Sequence, residues 1–149
     1  MDLSDTEVTH ATGGCLCGAV RYEIRGSLRP VVACHCEQCR RTSGHFVAAS
    51  GCAQRDLILR EKSGLTWFQS SDAAERGFCN RCGGNLFYRR RDPGDGRVSV
   101  MAGTLDPPTG LRIVGHIFAA AKSDYYAIGD ETPKFAGDYD SPEISDPEI

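Results

Sequence analysis

Eight cysteines in 149 residues are the feature that most constrains how this chain folds. Seven of them fall into three short groups, and Cys52 stands apart. The groups are Cys15-Leu16-Cys17, Cys34-His35-Cys36-Glu37-Gln38-Cys39 and Cys79-Asn80-Arg81-Cys82. Clustered cysteines are typical of metal sites in a reducing compartment, whereas disulfide frameworks are typical of small secreted domains. The chain begins with an acidic run that lacks the apolar core of a secretory signal, so the sequence predicts a cytoplasmic, metal-binding protein.

The composition is that of one ordinary globular domain. Hydrophobic residues make up 40% and charged residues 25% of the chain. The longest apolar stretch covers only residues 117–121, far short of the roughly 20 residues that a membrane helix needs. Residues 130–149 hold seven acidic residues and one lysine, so residues 1–129 carry a net charge of +3 within a total of −3. This weakly basic body favours small anionic ligands and disfavours duplex nucleic acid, whose partners usually have a high pI.

Short apolar runs separated by turn residues predict an all-β, β-dominated fold with little helix. Val20, Tyr22 and Ile24 alternate with charged residues, which is the period of a half-buried strand. Glycine, proline and asparagine separate the runs, as in proteins built of many short strands. Strand-like runs cover residues 20–25, 30–33, 46–49, 57–59, 66–68, 86–88, 97–101 and 113–118. The helical candidate near the cysteines is short and covers residues 37–43.

The first and third cysteine groups predict a closed zinc site. In an extended segment, a C-x-C pair places both thiols on one face of the strand. A C-x-x-C pair on a tight turn also directs two sulfurs toward one ion, and the glycines that follow it allow the left-handed backbone such turns need. Two thiolate pairs distant in sequence make the tetrahedral four-cysteine site typical of a structural role. The predicted ligands of this structural zinc are Cys15, Cys17, Cys79 and Cys82.

The middle group offers three thiolates, Cys34, Cys36 and Cys39, in six residues. Three protein ligands plus one open position is the composition of a catalytic zinc, and soft thiolates select zinc over magnesium or calcium. We therefore predict a second zinc ion here, able to accept a substrate thiol as a fourth ligand. Arg40 and Arg41 follow directly, and their adjacency makes them candidates for binding a substrate carboxylate.

A closed middle site is the alternative interpretation. Cys52 or His35 could supply a fourth protein ligand, and the chain would then be a non-catalytic, zinc-stabilised binding module. As a lone cysteine, Cys52 is more often a small buried apolar residue. His35, His45 and His116 are more often structural than catalytic where no base–nucleophile pair can be defined.

The order and sequence of these motifs resemble the glutathione-dependent formaldehyde-activating enzyme family, which shares its zinc-binding domain with centromere protein V. The similarity begins at Gly14-Cys15-Leu16-Cys17-Gly18-Ala19-Val20-Arg21-Tyr22 and continues through the middle group to Gly44. It resumes at Arg76-Gly77-Phe78-Cys79-Asn80-Arg81-Cys82-Gly83-Gly84, and later at Gly103-Thr104-Leu105-Asp106 and His116-Ile117-Phe118. Cys52 and the pair Tyr125-Tyr126 depart from the pattern expected of the family.

The resemblance implies a β-tent of antiparallel sheets pinned by zinc, with two Zn²⁺ per chain. It assigns the structural zinc to Cys15, Cys17, Cys79 and Cys82, and the catalytic zinc to Cys34, Cys36 and Cys39. The implied activity is that of a carbon–sulfur lyase or synthase, which joins formaldehyde to the thiol of glutathione or reverses that step. It divides the chain into an N-terminal extension (residues 1–11), the zinc-binding domain (12–136) and an acidic C-terminal tail (137–149).

Overall fold

The computed structural model describes residues 1–91 and 94–145, and strands dominate these residues. The single α-helix among them, α1, spans Glu37–Ser43. The strands are β1 His10–Gly14, β2 Arg21–Arg25, β3 Val31–Cys34, β4 Val47–Ala53, β5 Leu57–Glu61, β6 Leu65–Gln69, β7 Ala74–Cys79, β8 Asn85–Arg90, β9 Arg97–Met101 and β10 Ile113–Ile117. The predicted β-dominated fold with little helix is confirmed.

Three strands form a small antiparallel sheet in the order β1-β2-β5. The alternation predicted along β2 is present, since Tyr22 and Ile24 are buried while the alternating charged residues are half-buried or exposed. The ring of Tyr22 meets that of Phe87 from the large sheet edge-on, with 5.3 Å between ring centroids. This contact places the main apolar core between the two sheets.

The other seven strands form one sheet in the order β10-β3-β4-β9-β8-β7-β6. Every neighbouring pair in it is antiparallel except β10 and β3, which run parallel. The parallel pair departs from the purely antiparallel sheets that the resemblance implies. The connection from β9 to β10 explains it. β9 runs in the same direction as β3, and the chain crosses past β4 and β3 so that β10 keeps the direction of β9.

The helix predicted over residues 37–43 is confirmed, and its ends have a clear local cause. Cys36 is the N-cap, and its sulfur accepts a hydrogen bond from the backbone N–H of Cys39 at 3.4 Å. Gly44 ends the helix in the left-handed conformation, with φ of 84°, and its N–H donates to the carbonyl of Arg40. The helix therefore starts on a cysteine of the middle group and carries another in its first turn.

The described parts of the predicted extension and tail pack on the domain. Near the N-terminus, the backbone N–H of Thr6 donates to the carbonyl of Leu28 at 2.8 Å. In the predicted tail, the N–H of Phe118 donates to the carbonyl of Gly137, and the N–H of Ile144 donates to that of Lys134, both at 2.8 Å. Residues 146–149 of the tail lie outside the described residues, and the domain limits stay predictions. Residues 1–91 and 94–145 contain no helix with the length and hydropathy of a membrane span.

Candidate metal centres

The first and third cysteine groups meet in space. The four sulfurs of Cys15, Cys17, Cys79 and Cys82 lie within 4.8 Å of one another. The Sγ of Cys17 is 3.7 Å from that of Cys15 and 3.7 Å from that of Cys79. A disulfide would need about 2.0 Å, whereas tetrahedral zinc with bonds of about 2.3 Å separates its sulfurs by about 3.8 Å. The four-sulfur cluster therefore fits a tetrahedral metal ion and not a disulfide.

Tight turns bring these sulfurs together. Cys15 follows β1 directly, but residues 16 and 17 form a turn instead of an extended segment. After the second pair, Gly83 adopts a φ of 77° and donates its N–H to the carbonyl of Cys79 at 2.8 Å, which confirms the predicted left-handed glycine. The backbone N–H groups of Val20 and Arg81 donate to the sulfurs of Cys15 and Cys79, at 3.3 and 3.4 Å. Main-chain donors thus stabilise negative charge on this cluster.

The middle group forms a separate three-sulfur cluster. Cys34 ends β3, Cys36 caps α1 and Cys39 lies in its first turn, and the three sulfurs lie within 4.8 Å of one another. Contact with Cys36 raises the pKa of the Cys34 thiol, and the same contact lowers the pKa of Cys36 to about 2. Negative charge is therefore favoured on the sulfur of Cys36 and disfavoured on that of Cys34. Three soft sulfurs at this spacing are a suitable donor set for zinc.

The two clusters differ in what they face. The three-sulfur cluster lies in the wall of a cavity of about 900 Å³, whose lining includes none of the four cysteines of the other cluster. That volume is within the usual range for a small-molecule site. Five arginines, Arg29, Arg76, Arg89, Arg90 and Arg97, line the cavity. Three acidic residues, Glu37, Asp95 and Asp138, also line it, so the lining has an excess of positive charge.

Arg40 and Arg41 do not line this cavity. They follow Cys39 on α1, and because a helix turns about 100° per residue, consecutive side chains point in different directions. Arg41 Nε donates to Glu37 Oε1 at 2.9 Å on the exposed face. Arg40 Nε is buried and has no hydrogen-bond partner among the described residues. Their role in substrate binding stays a prediction.

Neither of the fourth ligands considered above joins the three-sulfur cluster. Cys52 is fully buried in the main core, as expected for a small apolar residue. His35 is also buried, and its Nδ1 is hydrogen-bonded to the hydroxyl of Tyr126 while its Nε2 is 2.9 Å from Nδ1 of His116. Burial lowers the pKa of His35 to about 4, so the ring is neutral at pH 7.

A buried hydrogen-bonded chain continues from His35 to the surface. His116 Nε2 lies 2.8 Å from Asp130 Oδ2. Burial raises the pKa of Asp130, but hydrogen bonds from Thr132 and His116 outweigh it and hold that pKa below its usual range. These hydrogen bonds join the residue that follows β3 to β10 and to the segment after β10, so they brace the end of the strand that carries Cys34.

Arg76 is the residue near the site that the motifs alone did not single out. Its Nη1 and Nη2 lie 3.9 and 3.8 Å from the sulfur of Cys39. It belongs to β7, a strand that the apolar runs do not reveal because Glu75, Arg76 and Gly77 interrupt the pattern. An arginine three residues before a C-x-x-C pair is the local signal that could have been followed.

The fold is β-dominated and carries two cysteine clusters, of which only the three-sulfur cluster lines the cavity. These features define a class of cysteine-rich proteins with two candidate metal centres. Comparison with known protein families identifies the family within that class. The family model described as glutathione-dependent formaldehyde-activating enzyme matches residues 10–121, and the chain belongs to this family, as the motifs predicted.

A Schizosaccharomyces pombe protein described as an uncharacterized lyase is 33% identical over 76 residues. The aligned region covers 51% of this chain and 55% of that protein. The chain thus spans about half the length of this curated relative.

Proposed function

We propose that the chain is a zinc-dependent carbon–sulfur lyase or synthase that acts on a thiol such as glutathione and a small aldehyde such as formaldehyde. The observation that carries the proposal is the position of Cys34, Cys36 and Cys39 in the wall of a large cavity with basic lining. Family membership supports the same chemistry, and the relative's description as a lyase agrees with it.

The reaction needs no redox partner. In the synthetic direction the sulfur of the thiol attacks the aldehyde carbon, the carbon–sulfur bond forms and the carbon–oxygen double bond becomes single. The proton leaves sulfur and ends on the new hydroxyl, which gives an S-hydroxymethyl thioether. The lyase direction breaks the carbon–sulfur bond and returns the proton to sulfur.

Each part of the site has a separate task in this reaction. Zinc held by Cys34, Cys36 and Cys39 would lower the pKa of a substrate thiol and hold its sulfur. The cavity binds the rest of the thiol beside the aldehyde, and such positioning can supply a large part of the rate of a reaction between two small molecules. The arginines in the lining favour a thiol that carries carboxylates.

A non-catalytic binding module is a weaker explanation of the same geometry. It requires a fourth protein ligand on the middle ion, and the two residues considered for that role have other partners. Both ring nitrogens of His35 are hydrogen-bonded, and Cys52 packs in the core.

The test is NMR exchange spectroscopy of the zinc-loaded protein with formaldehyde and glutathione. A thiol and an aldehyde can also combine without an enzyme, so the rate is compared with that of a protein-free sample. We expect the protein to accelerate exchange between free and S-hydroxymethyl glutathione. Cys36→Ala should abolish the acceleration, whereas Cys52→Ala should retain it. Two results together would overturn the proposal. The parent would accelerate exchange with none of glutathione, cysteine and 2-mercaptoethanol, and X-ray absorption would show four protein ligands on the middle zinc. The chain would then be a binding module.

A further inference from the structure

We infer that Arg76 is a positioning residue that balances the charge of the three-sulfur centre and so favours an anionic sulfur ligand there. This inference rests on the proposed function, because it concerns the same centre. It assigns a role to a side chain outside the cysteine motifs.

The strand pairing fixes Arg76 beside the centre. Arg76 on β7 is directly opposite Tyr88 on β8, and its guanidinium carbon lies 5.1 Å from the centroid of the Tyr88 ring. Both terminal nitrogens lie within 4 Å of the sulfur of Cys39. The guanidinium is therefore held between an aromatic face and a candidate metal ligand, both of which attract a cation.

Arg76 is buried without a carboxylate partner. Only 5% of the residue is exposed, and no ion pair joins it to a carboxylate in residues 1–91 and 94–145. Its Nε is also buried and unpartnered in that part of the chain. Burying a charge without an opposite charge is expensive, so the negative sulfurs are the counterion that the position requires.

A neighbouring arginine shows that this arrangement is specific. Arg89 also lines the cavity, but its Nε donates to Glu75 Oε1 at 2.6 Å and its guanidinium carbon lies 3.8 Å from the centroid of the Trp67 ring. Its charge is already balanced by a carboxylate. Among these two arginines of adjacent strands, only Arg76 directs its charge at the sulfurs.

The consequence follows from counting charges. Three thiolates and one Zn²⁺ carry a net charge of −1, which Arg76 cancels. A thiolate that joins as a fourth ligand adds one more negative charge, and without Arg76 the centre would reach −2 in a half-buried site. Arg76 therefore stabilises the centre that has a fourth, anionic sulfur more than it stabilises the centre that has three thiolates.

The test measures thiol binding separately from turnover. The protein is loaded with Co²⁺ and titrated with 2-mercaptoethanol, which lacks carboxylates, and the added sulfur-to-cobalt charge-transfer absorption gives an apparent dissociation constant. We expect Arg76→Met to weaken binding about tenfold, the effect of one unit charge a few ångströms away across a partly solvated site. Arg76→Lys keeps the charge and should stay within about threefold of the parent.

Arg89→Met is the matched control, because it removes a charge from the adjacent strand and leaves the contact with Cys39 intact. A merely structural role for Arg76 would lower the melting temperature in Arg76→Met and leave the dissociation constant of the folded, cobalt-loaded protein unchanged. That result, or equal weakening in Arg76→Met and Arg89→Met, would overturn the inference. A parent that shows no thiol-dependent absorption with 2-mercaptoethanol or with glutathione would instead refute the proposed function, whatever the Arg76 variants do.

Discussion

The two cysteine clusters use the same ligand type for different ends. The four-sulfur cluster joins turns that are far apart in sequence, receives hydrogen bonds from main-chain N–H groups, and does not line the cavity. The three-sulfur cluster comes from one strand end and one helix start, contacts a guanidinium, and lines the cavity. We therefore expect the fold to depend on the first cluster, whereas the second would be carried by a fold that other contacts maintain.

Ligand number and sequence separation together distinguish a metal site suited to holding the fold from one suited to chemistry. Four thiolates saturate a tetrahedral ion, so nothing remains for a substrate. Cys15 and Cys79 are 64 residues apart, so a metal bound to both would link distant segments of the chain. The three cysteines of the other cluster lie within six residues and would link only one short segment. The clusters should therefore respond differently to loss of one sulfur.

The largest effect should come from Cys79→Ser. A structural zinc site contributes about 10 kcal/mol or more, which is comparable with the typical total stability of about 5–15 kcal/mol. We expect this variant to lack a cooperative unfolding transition by circular dichroism and to be poor in bound zinc. A melting temperature equal to that of the parent would show that the four-sulfur cluster does not support the fold.

A smaller effect is expected for Cys36→Ala. The variant should lose one of two zinc ions per chain, measured by elemental analysis, and keep its cooperative unfolding transition. Because Cys36 also caps α1, stability should fall by about 1 kcal/mol. Loss of both ions, or global unfolding, would erase the distinction between the clusters.

The smallest effect is expected for Cys52→Ala, the matched control among the cysteines. Its sulfur is buried in the core and belongs to neither cluster, so the zinc content should stay at that of the parent. Loss of the buried sulfur should lower stability by about 1 kcal/mol, measured by chemical denaturation. A drop in zinc content would show that Cys52 is a ligand after all.

Much of the fold could be predicted because its strands follow simple patterns. The alternation along β2 and the valine run of β9 both mark strands that the structure contains. Two strands escaped prediction. Gly13 and Gly14 lower the intrinsic strand tendency of β1, which forms because it pairs with β2 along its full length. In β7, a glycine occupies position 77, where an apolar side chain would have marked the strand. A Cβ at Gly77 would lie only 3.1–3.2 Å from the rings of Phe87 and Trp67.

The grouping of the cysteines in the candidate site could be predicted from the sequence, but the residues that surround them could not. Spacing alone grouped the cysteines correctly, since C-x-C and C-x-x-C pairs are local signals. Adjacency favoured Arg40 and Arg41, which do not line the cavity and whose role in substrate binding stays a prediction. Strand pairing brings a different arginine, Arg76, to the sulfur of Cys39. Contacts that cross from one strand to another depend on sheet order, which a single sequence does not display.

The sequence separation between the two halves of the four-sulfur cluster also determines when, during translation, all four of its cysteines have been made. A ribosome that adds roughly 5–20 residues per second needs roughly 3–13 s to pass from Cys15 to Cys79. Throughout that interval the nascent chain carries Cys15 and Cys17 without the two thiols that would complete their metal site. Cys34, Cys36 and Cys39 are all made within about a second, so the centre proposed for chemistry is complete in sequence well before the one proposed to hold the fold.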